Sequence, residues 1–276
     1  MISDAHVHMG YYSRKGFREP FYYSPRRVLG VLDRCGVDEF IVSSTCAQVA
    51  SISICDLNRE AREMKRLAGA RAHVFLWVSG RMMDEDRQLK VLDEPWRRLR
   101  GDGSAFLYEG IKLHEMETPW VKERKCDLER VLSIANERRL PVQFHSGPNE
   151  FCSPRVLAKF AQEFPSVRFD FAHCRPMGEM AEVVGACPNV WTDTAFMDAS
   201  EQRELPHYDW HGRLMFGSDL PVWQAHEDAP LTKTLRARLA AFCASGLERE
   251  PDLAFARFVQ NQVLNLHKAN LVRKAL

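Results

Sequence analysis

MISDAHVHMG, residues 1–10, reads as a β-strand that carries His6 and His8 two positions apart. Alternate residues of a strand share a face, so both imidazoles can reach the same interior. Three later fragments repeat the theme, each ending a short apolar run: VQFHSG (142–147) with His145, FAHCRP (171–176) with His173 and FGSDLP (216–221) with Asp219. GIKLH (110–114) places Lys112 between the first pair and His145. Imidazole nitrogen and carboxylate oxygen are the donor set of a catalytic zinc or a similar divalent ion.

Working outward from these fragments, apolar, β-branched runs recur at 1–8, 38–44, 73–79, 108–114, 140–145, 167–173, 189–195 and 213–219. Amphipathic helical patterns lie between them. Ser24-Pro25 opens one and Gly36 closes it; 127–139 and 153–164 repeat the apolar i, i+3, i+4 spacing, and Pro165 stops the second. Strand and helix alternating eight times in about 250 residues predicts an α/β fold, a single (β/α)8 TIM barrel. The whole chain, 1–276, reads as one domain, and residues 251–276 as one or two extra C-terminal helices. The run at 189–195, with Thr192, Asp193 and Thr194, is the weakest strand pattern. Residues 199–211 are poorly periodic and read mostly as loop. In such a barrel the active site forms at the carboxyl ends of the strands, where residues remote in sequence converge. By strand parity Lys112 and His114 point inward, while Ile111 and Leu113 pack outward on the helices.

Composition narrows the partners. Lys and Arg number 38 against 37 Asp and Glu, a formal charge of +1 that offers no general pull toward nucleic acid or anionic lipid. The eight cysteines are scattered, with no C-x-x-C pair. They read as reduced packing thiols of a cytoplasmic protein and argue against a structural zinc site built from four cysteines. A strand beginning at Ile2 leaves no room for a signal peptide, and no apolar run approaches the roughly 20 residues of a membrane span. A small-molecule substrate is expected, with neither nucleic acid nor membrane as partner.

The ordered set of H-x-H, Gly-Ile-Lys, His, His and Gly-Ser-Asp-x-Pro resembles the amidohydrolase superfamily, in particular its amidohydrolase-2 group of metal-dependent barrel hydrolases and decarboxylases. GVDEFIV (36–42) and FVQNQVLNLHK (258–268) resemble that group's second strand and terminal helix, so the likeness spans essentially the whole chain. It implies that His6, His8, His145 and Asp219 hold a divalent ion, zinc first and manganese as the alternative, with water at an open position. Asp219 would take a proton from that water and return it to the leaving group. His173 would bind a second ion or stabilise developing negative charge. Lys112 would either bridge two ions as a carbamate or hydrogen-bond substrate; one ion is favoured over two.

Substrate contacts are assigned to Arg175, whose guanidinium can clamp a carboxylate, to His114, and to Trp223 with His226 on the last loop. Tyr11, with Tyr12, Arg14, Lys15 and Arg18, is read as a lid over an anionic or aromatic ligand. Each has a plain alternative as a surface ion pair, a polar rim or ordinary loop. His73, His207, His211 and His267 are read as structural. The leading function is metal-dependent hydrolysis of a C–N or C–O bond (amide, lactone or ester) in a small, anionic molecule. The alternative is non-oxidative decarboxylation of a small unsaturated or aromatic acid. A TatD-like nuclease is disfavoured, because Lys112 stands where those enzymes carry a glutamate. A ligand-binding barrel without turnover is the non-enzymatic reading. Outer helices near Trp96 or Leu271 are candidate surfaces for a homodimer.

Overall fold

The computed structural model describes residues 1–12, 21–48, 53–84, 88–93, 106–222, 228–245, 247 and 252–259. Its centre is one curled sheet of nine strands: β1 (Ser3–Tyr12), β2 (Phe21–Tyr23), β3 (Glu39–Ser44), β4 (Ala72–Trp77), β5 (Gly110–Leu113), β6 (Val142–His145), β7 (Phe169–Ala172), β8 (Val190–Asp193) and β9 (Leu214–Met215). Their order is β2-β1-β3-β4-β5-β6-β7-β8-β9, and every neighbour pair is parallel except β1 with β2. Beyond β9 the chain runs alongside β1. Ala5 N donates to Phe216 O (2.7 Å), His8 N to Leu220 O (2.7 Å) and Asp219 N to His6 O (2.8 Å). All eight runs anticipated from sequence are present as strands, including the weakest, now β8.

The first strand corrects the expectation. His6 and His8 do not end it: β1 continues to Tyr12 and folds against β2 with Gly10, Tyr11 and Tyr12 opposite Tyr23, Tyr22 and Phe21. Tyr11 and Tyr12 are therefore strand residues. Gly10 makes the change of partner possible, with φ of 98° and no room for a side chain. A Cβ there would stand 2.7 Å from Cys46 Sγ and 2.9 Å from Ser44 Oγ. Arg14, Lys15 and Arg18 lie outside the described residues.

Helices cover the outer face: α1 (Pro25–Cys35), α2 (Ile54–Ala68), α3 (Gly80–Asp84), α4 (Trp120–Glu123), α5 (Lys125–Arg138), α6 (Pro154–Glu163), α7 (Met177–Ala186), α8 (Ala199–Glu204) and α9 (Asp228–Ala244). Local chemistry sets the ends of α1: Ser24 Oγ accepts from Arg27 N (3.3 Å), Pro25 occupies the first turn, and Gly36 closes the helix at φ 72°. A cap of this kind contributes about 1 kcal/mol. The weakly periodic 199–211 segment is α8 followed by a 3-10 turn at Leu205–His207. Six residues are too few to show a helical stripe. The helix instead rests on its start, where Asp198 Oδ1 accepts from Ser200 N and Glu201 N.

Side-chain parity divides the interior. Val7, Val42, Ile111, Leu113, Val142 and Phe171 join the layer between sheet and helices. Ala5, Ile41, Phe75, Trp191 and Met215 face inward at the opposite end from the histidines, where Phe255 and Phe258 of the helical stretch 252–259 fill the space. Of the expected terminal helices, only 252–259 falls within the described residues. Trp96, His267 and Leu271 lie outside them. All eight cysteines are free thiols. Among the described residues, no helix is long and apolar enough to cross a membrane.

Candidate metal centre

Register explains who meets whom. His8 pairs with Ser43 across β1 and β3, and His8 Nδ1 lies 3.0 Å from Ser43 Oγ. His6 and His8, two apart in β1, share the face inside the curl of the sheet, just after a register shift between Asp4 and Val7. Asp219, four residues beyond β9, adopts a left-handed φ of 58° and meets both. His6 Nε2 and His8 Nε2 are 3.1 Å apart, and Asp219 Oδ1 lies 3.5 Å from the first and 3.2 Å from the second. Donors held tetrahedrally at zinc-ligand distances stand about 3.3 Å from one another, so the three fit a common cation.

Asp193, the last residue of β8, works behind His6. Its Oδ2 accepts from His6 Nδ1 (2.8 Å), which assigns the His6 proton to Nδ1 and leaves Nε2 as a bare lone pair. Its Oδ1 accepts from the backbone N–H of His173 (3.1 Å) and of Ala195 (2.8 Å). His173 has φ of 76°, uncommon for a residue other than glycine, and its Nδ1 is 3.1 Å from Ala195 O.

The structure separates His145 from the trio. His145 Nδ1 lies 2.9 Å from His173 Nε2, and the His145 ring stacks on His114 with centroids 4.0 Å apart. His114 stacks in turn on Trp77 at 5.5 Å. Two clusters of possible ligand atoms result among the described residues, His6–His8–Asp219 and His6–His173–Asp193, and His145 belongs to neither. Lys112, fully buried, points its Nζ at His6 Nε2 from 3.0 Å. Across β5, β6 and β7 it is in register with Gln143, and Gln143 with Asp170. Gln143 Nε2 donates to Asp170 Oδ2 and to Ala5 O, 2.8 Å each.

Burial sets the charges. It pushes all five imidazoles below their ordinary range, with Lys112 adding to the effect: His6 and His8 downward, His114 and His145 well down, and His173 to about 3. Neutral rings are what a metal requires. Burial would raise the carboxyls too, but His6 and His173 hold Asp193 below the carboxylate range, and His8, His6 and His173 do the same for Asp219. Asp170 differs: burial and the neighbouring Asp193 lift it well above that range, against the Gln143 hydrogen bond and the pull of Lys112. Lys112 is drawn down to about 8 by burial, against the pull of the three aspartates. The Asp193 and Asp219 carboxylates and the Lys112 ammonium are thus the charged groups set against the rings. The donors, their spacing and their charge all fit a divalent cation.

Residues 97–252, more than half of the chain, match the model of a family described as amidohydrolase, the second group of that name. The chain belongs to the amidohydrolase-2 family. No curated protein matches the sequence. Solved structures similar to this amidohydrolase include an amidohydrolase from Burkholderia multivorans with bound zinc, at 13% identity and TM-score 0.57, covering 94% of this chain and 99% of that one. The IDCase of Metarhizium anisopliae in apo form is similar at 11% identity and TM-score 0.59, over 96% and 97%. A probable 2-pyrone-4,6-dicarboxylic acid hydrolase from Acinetobacter baumannii, with citric acid bound, is similar at 11% and 0.54, over 90% and 98%. At these identities the likeness speaks for the fold. The family match begins after His6 and His8, so their place in the cluster rests on the geometry.

The residues assigned to substrate are dispersed. Arg175, half-buried after β7, has its guanidinium 5.5 Å from the Phe196 ring centroid, and its Nε is buried without a partner among the described residues. His114 keeps a buried Nδ1 with no hydrogen bond among them. Tyr11 is 42% exposed and lies against Tyr22, ring centroids 4.8 Å apart and planes tilted by 40°, on the hairpin. Trp223 and His226 lie outside the described residues. Of the histidines read as structural, His73 pairs with Glu109 (2.7 Å), while His207 and His211 sit beside Glu204 and Asp209 at the surface. Sequence reasoning missed Asp193, Ser43 and the Gln143–Asp170 layer. Asp193 did carry a signal: like His145 and His173, it is a polar residue where an apolar run stops.

Proposed function

We propose that this amidohydrolase-2 protein is a metal-dependent hydrolase that cleaves a C–N or C–O bond of a small, anionic molecule, with the sheet closed as a (β/α)8 barrel around the site. The hydrogen bonds between β1 and residues 216–220 support closure. The observation that carries the reaction is Asp219. It is a carboxylate whose pKa the neighbouring His8, His6 and His173 draw below the ordinary range, with Oδ1 beside His6 and His8. His6, His8 and Asp219 would hold a divalent ion, which when bound would supply Lewis acidity and, for zinc, bring the pKa of water near 7.

The chain's own residues do the rest. Asp219 takes a proton from the attacking water and returns it to the departing nitrogen or oxygen. His173, fixed through Nδ1 on Ala195 O, meets His145 Nδ1 with its Nε2 at 2.9 Å, so the two rings form one side of the site as a unit. The Trp77–His114–His145 stack forms a flat wall. Arg175 supplies a guanidinium for an anionic group, and the Lys112 ammonium adds positive charge beneath.

The test is a panel of carboxylated lactones, esters and amides, assayed with the zinc-loaded protein in 18O-water. Incorporation of 18O into product, abolished by Asp219→Asn with little change in substrate affinity, supports hydrolysis. Release of carbon dioxide without 18O incorporation selects non-oxidative decarboxylation instead. Binding without turnover in the unaltered protein selects a non-catalytic barrel.

A further inference from the structure

We infer that Asp193 is a positioning residue of the metal centre: one oxygen orients His6 and the other fixes the backbone turn that presents His173. The inference rests on the metal-dependent reading above and extends it to a residue on the opposite side of His6 from Asp219.

Four observations converge. Both oxygens of Asp193 are engaged, Oδ2 by His6 Nδ1 at 2.8 Å and Oδ1 by His173 N and Ala195 N at 3.1 and 2.8 Å. The side chain is wholly buried, where an ionised carboxylate is costly unless donors surround it. The turn it holds is unusual, with His173 at φ 76° and Cys174 at 47°, a conformation that persists only when its surroundings enforce it. Finally, room for it is made by Gly217, where a Cβ would stand 3.0 Å from Asp193 Cγ, Asp193 Oδ1 and His6 Cβ.

A carboxylate on the far nitrogen of a liganding histidine fixes the tautomer and raises the basicity of the ligand nitrogen. Here the same carboxylate also ties that ligand to His173.

Two measurements test this. Metal-stripped protein is titrated with Zn2+ against a chelating dye, comparing the unaltered chain with Asp193→Asn. An asparagine has a single acceptor oxygen and cannot serve both His6 and the two backbone donors. The expected result is a roughly 10- to 100-fold loss of zinc affinity; equal affinity overturns the inference. Nitrogen-15 spectra of the unaltered, metal-free protein must show His6 protonated at Nδ1, and protonation at Nε2 alone overturns the inference even if Asp193→Asn fails to fold. Should the unaltered protein take up no zinc, the metal-dependent reading fails, and the His6 tautomer still decides the role of Asp193.

Discussion

Lys112 Nζ lies 3.0 Å from His6 Nε2, the nitrogen that also faces His8 and Asp219. The ammonium and a metal ion therefore compete for one lone pair. Removing the ammonium with Lys112→Met should tighten Zn2+ binding by about tenfold or more, because the ion no longer meets a buried positive charge. Stoichiometry, read by elemental analysis, should remain one ion per chain in both proteins. Two ions in the unaltered chain and one in the variant would replace this picture with a lysine carbamate bridging two metals.

Arg175 should govern affinity more than fold. Its Nε makes no hydrogen bond among the described residues, and its contact with Phe196 is a weak cation–π one. Arg175→Met should raise KM for an anionic substrate about tenfold or more, the worth of a lost charged contact, with the melting temperature nearly unchanged. A fall in Tm with KM unchanged would make Arg175 structural.

At the other end of the sheet, Glu109 bonds the ammonium of Lys65 and lies 2.7 Å from His73 Nδ1, all three largely buried. Glu109→Gln would leave Lys65 without its counter-ion, so a loss of about 3–5 kcal/mol is expected in denaturant unfolding. The pH dependence follows. Burial alone would raise the Glu109 carboxyl, but Lys65 and His73 hold it below its ordinary value of 4.5. A depressed carboxyl contributes stability above that value and loses it as pH falls below. The unaltered protein should therefore weaken more steeply than Glu109→Gln between about pH 5 and pH 3.

Gly217→Ala should disturb the site without touching a ligand. Its Cβ would crowd Asp193 and His6 at 3.0 Å, so one of them must shift. Weaker Zn2+ binding is expected, by a smaller factor than for Asp193→Asn, and titration of the two variants side by side checks the order.

Much of this protein was legible in its sequence, and the misses have physical causes. Ser24, Pro25 and Gly36 announced α1, because caps act within a few residues. His6, His8 and Asp219 announced a common site, because each follows from strand parity and from where a strand stops. The pairing of β1 with β2 was not legible: the sequence between them, residues 13–20, carries no short hairpin signature. Asp193 looked like a flaw in a weak strand, since only register with the neighbouring strands shows which histidine stands beside it.

The amino-acid order by itself determined the alternation of strands and helices and the donor residues offered at their ends, since these depend on short-range periodicity and backbone stereochemistry. Only the tertiary structure decided that His145 turns to His173 and His114 and not to the trio, that Asp193 backs His6, and that Lys112 contests its free nitrogen. Those contacts join residues up to 187 positions apart. They depend on the stagger of neighbouring strands and on how a buried charge finds its nearest donor.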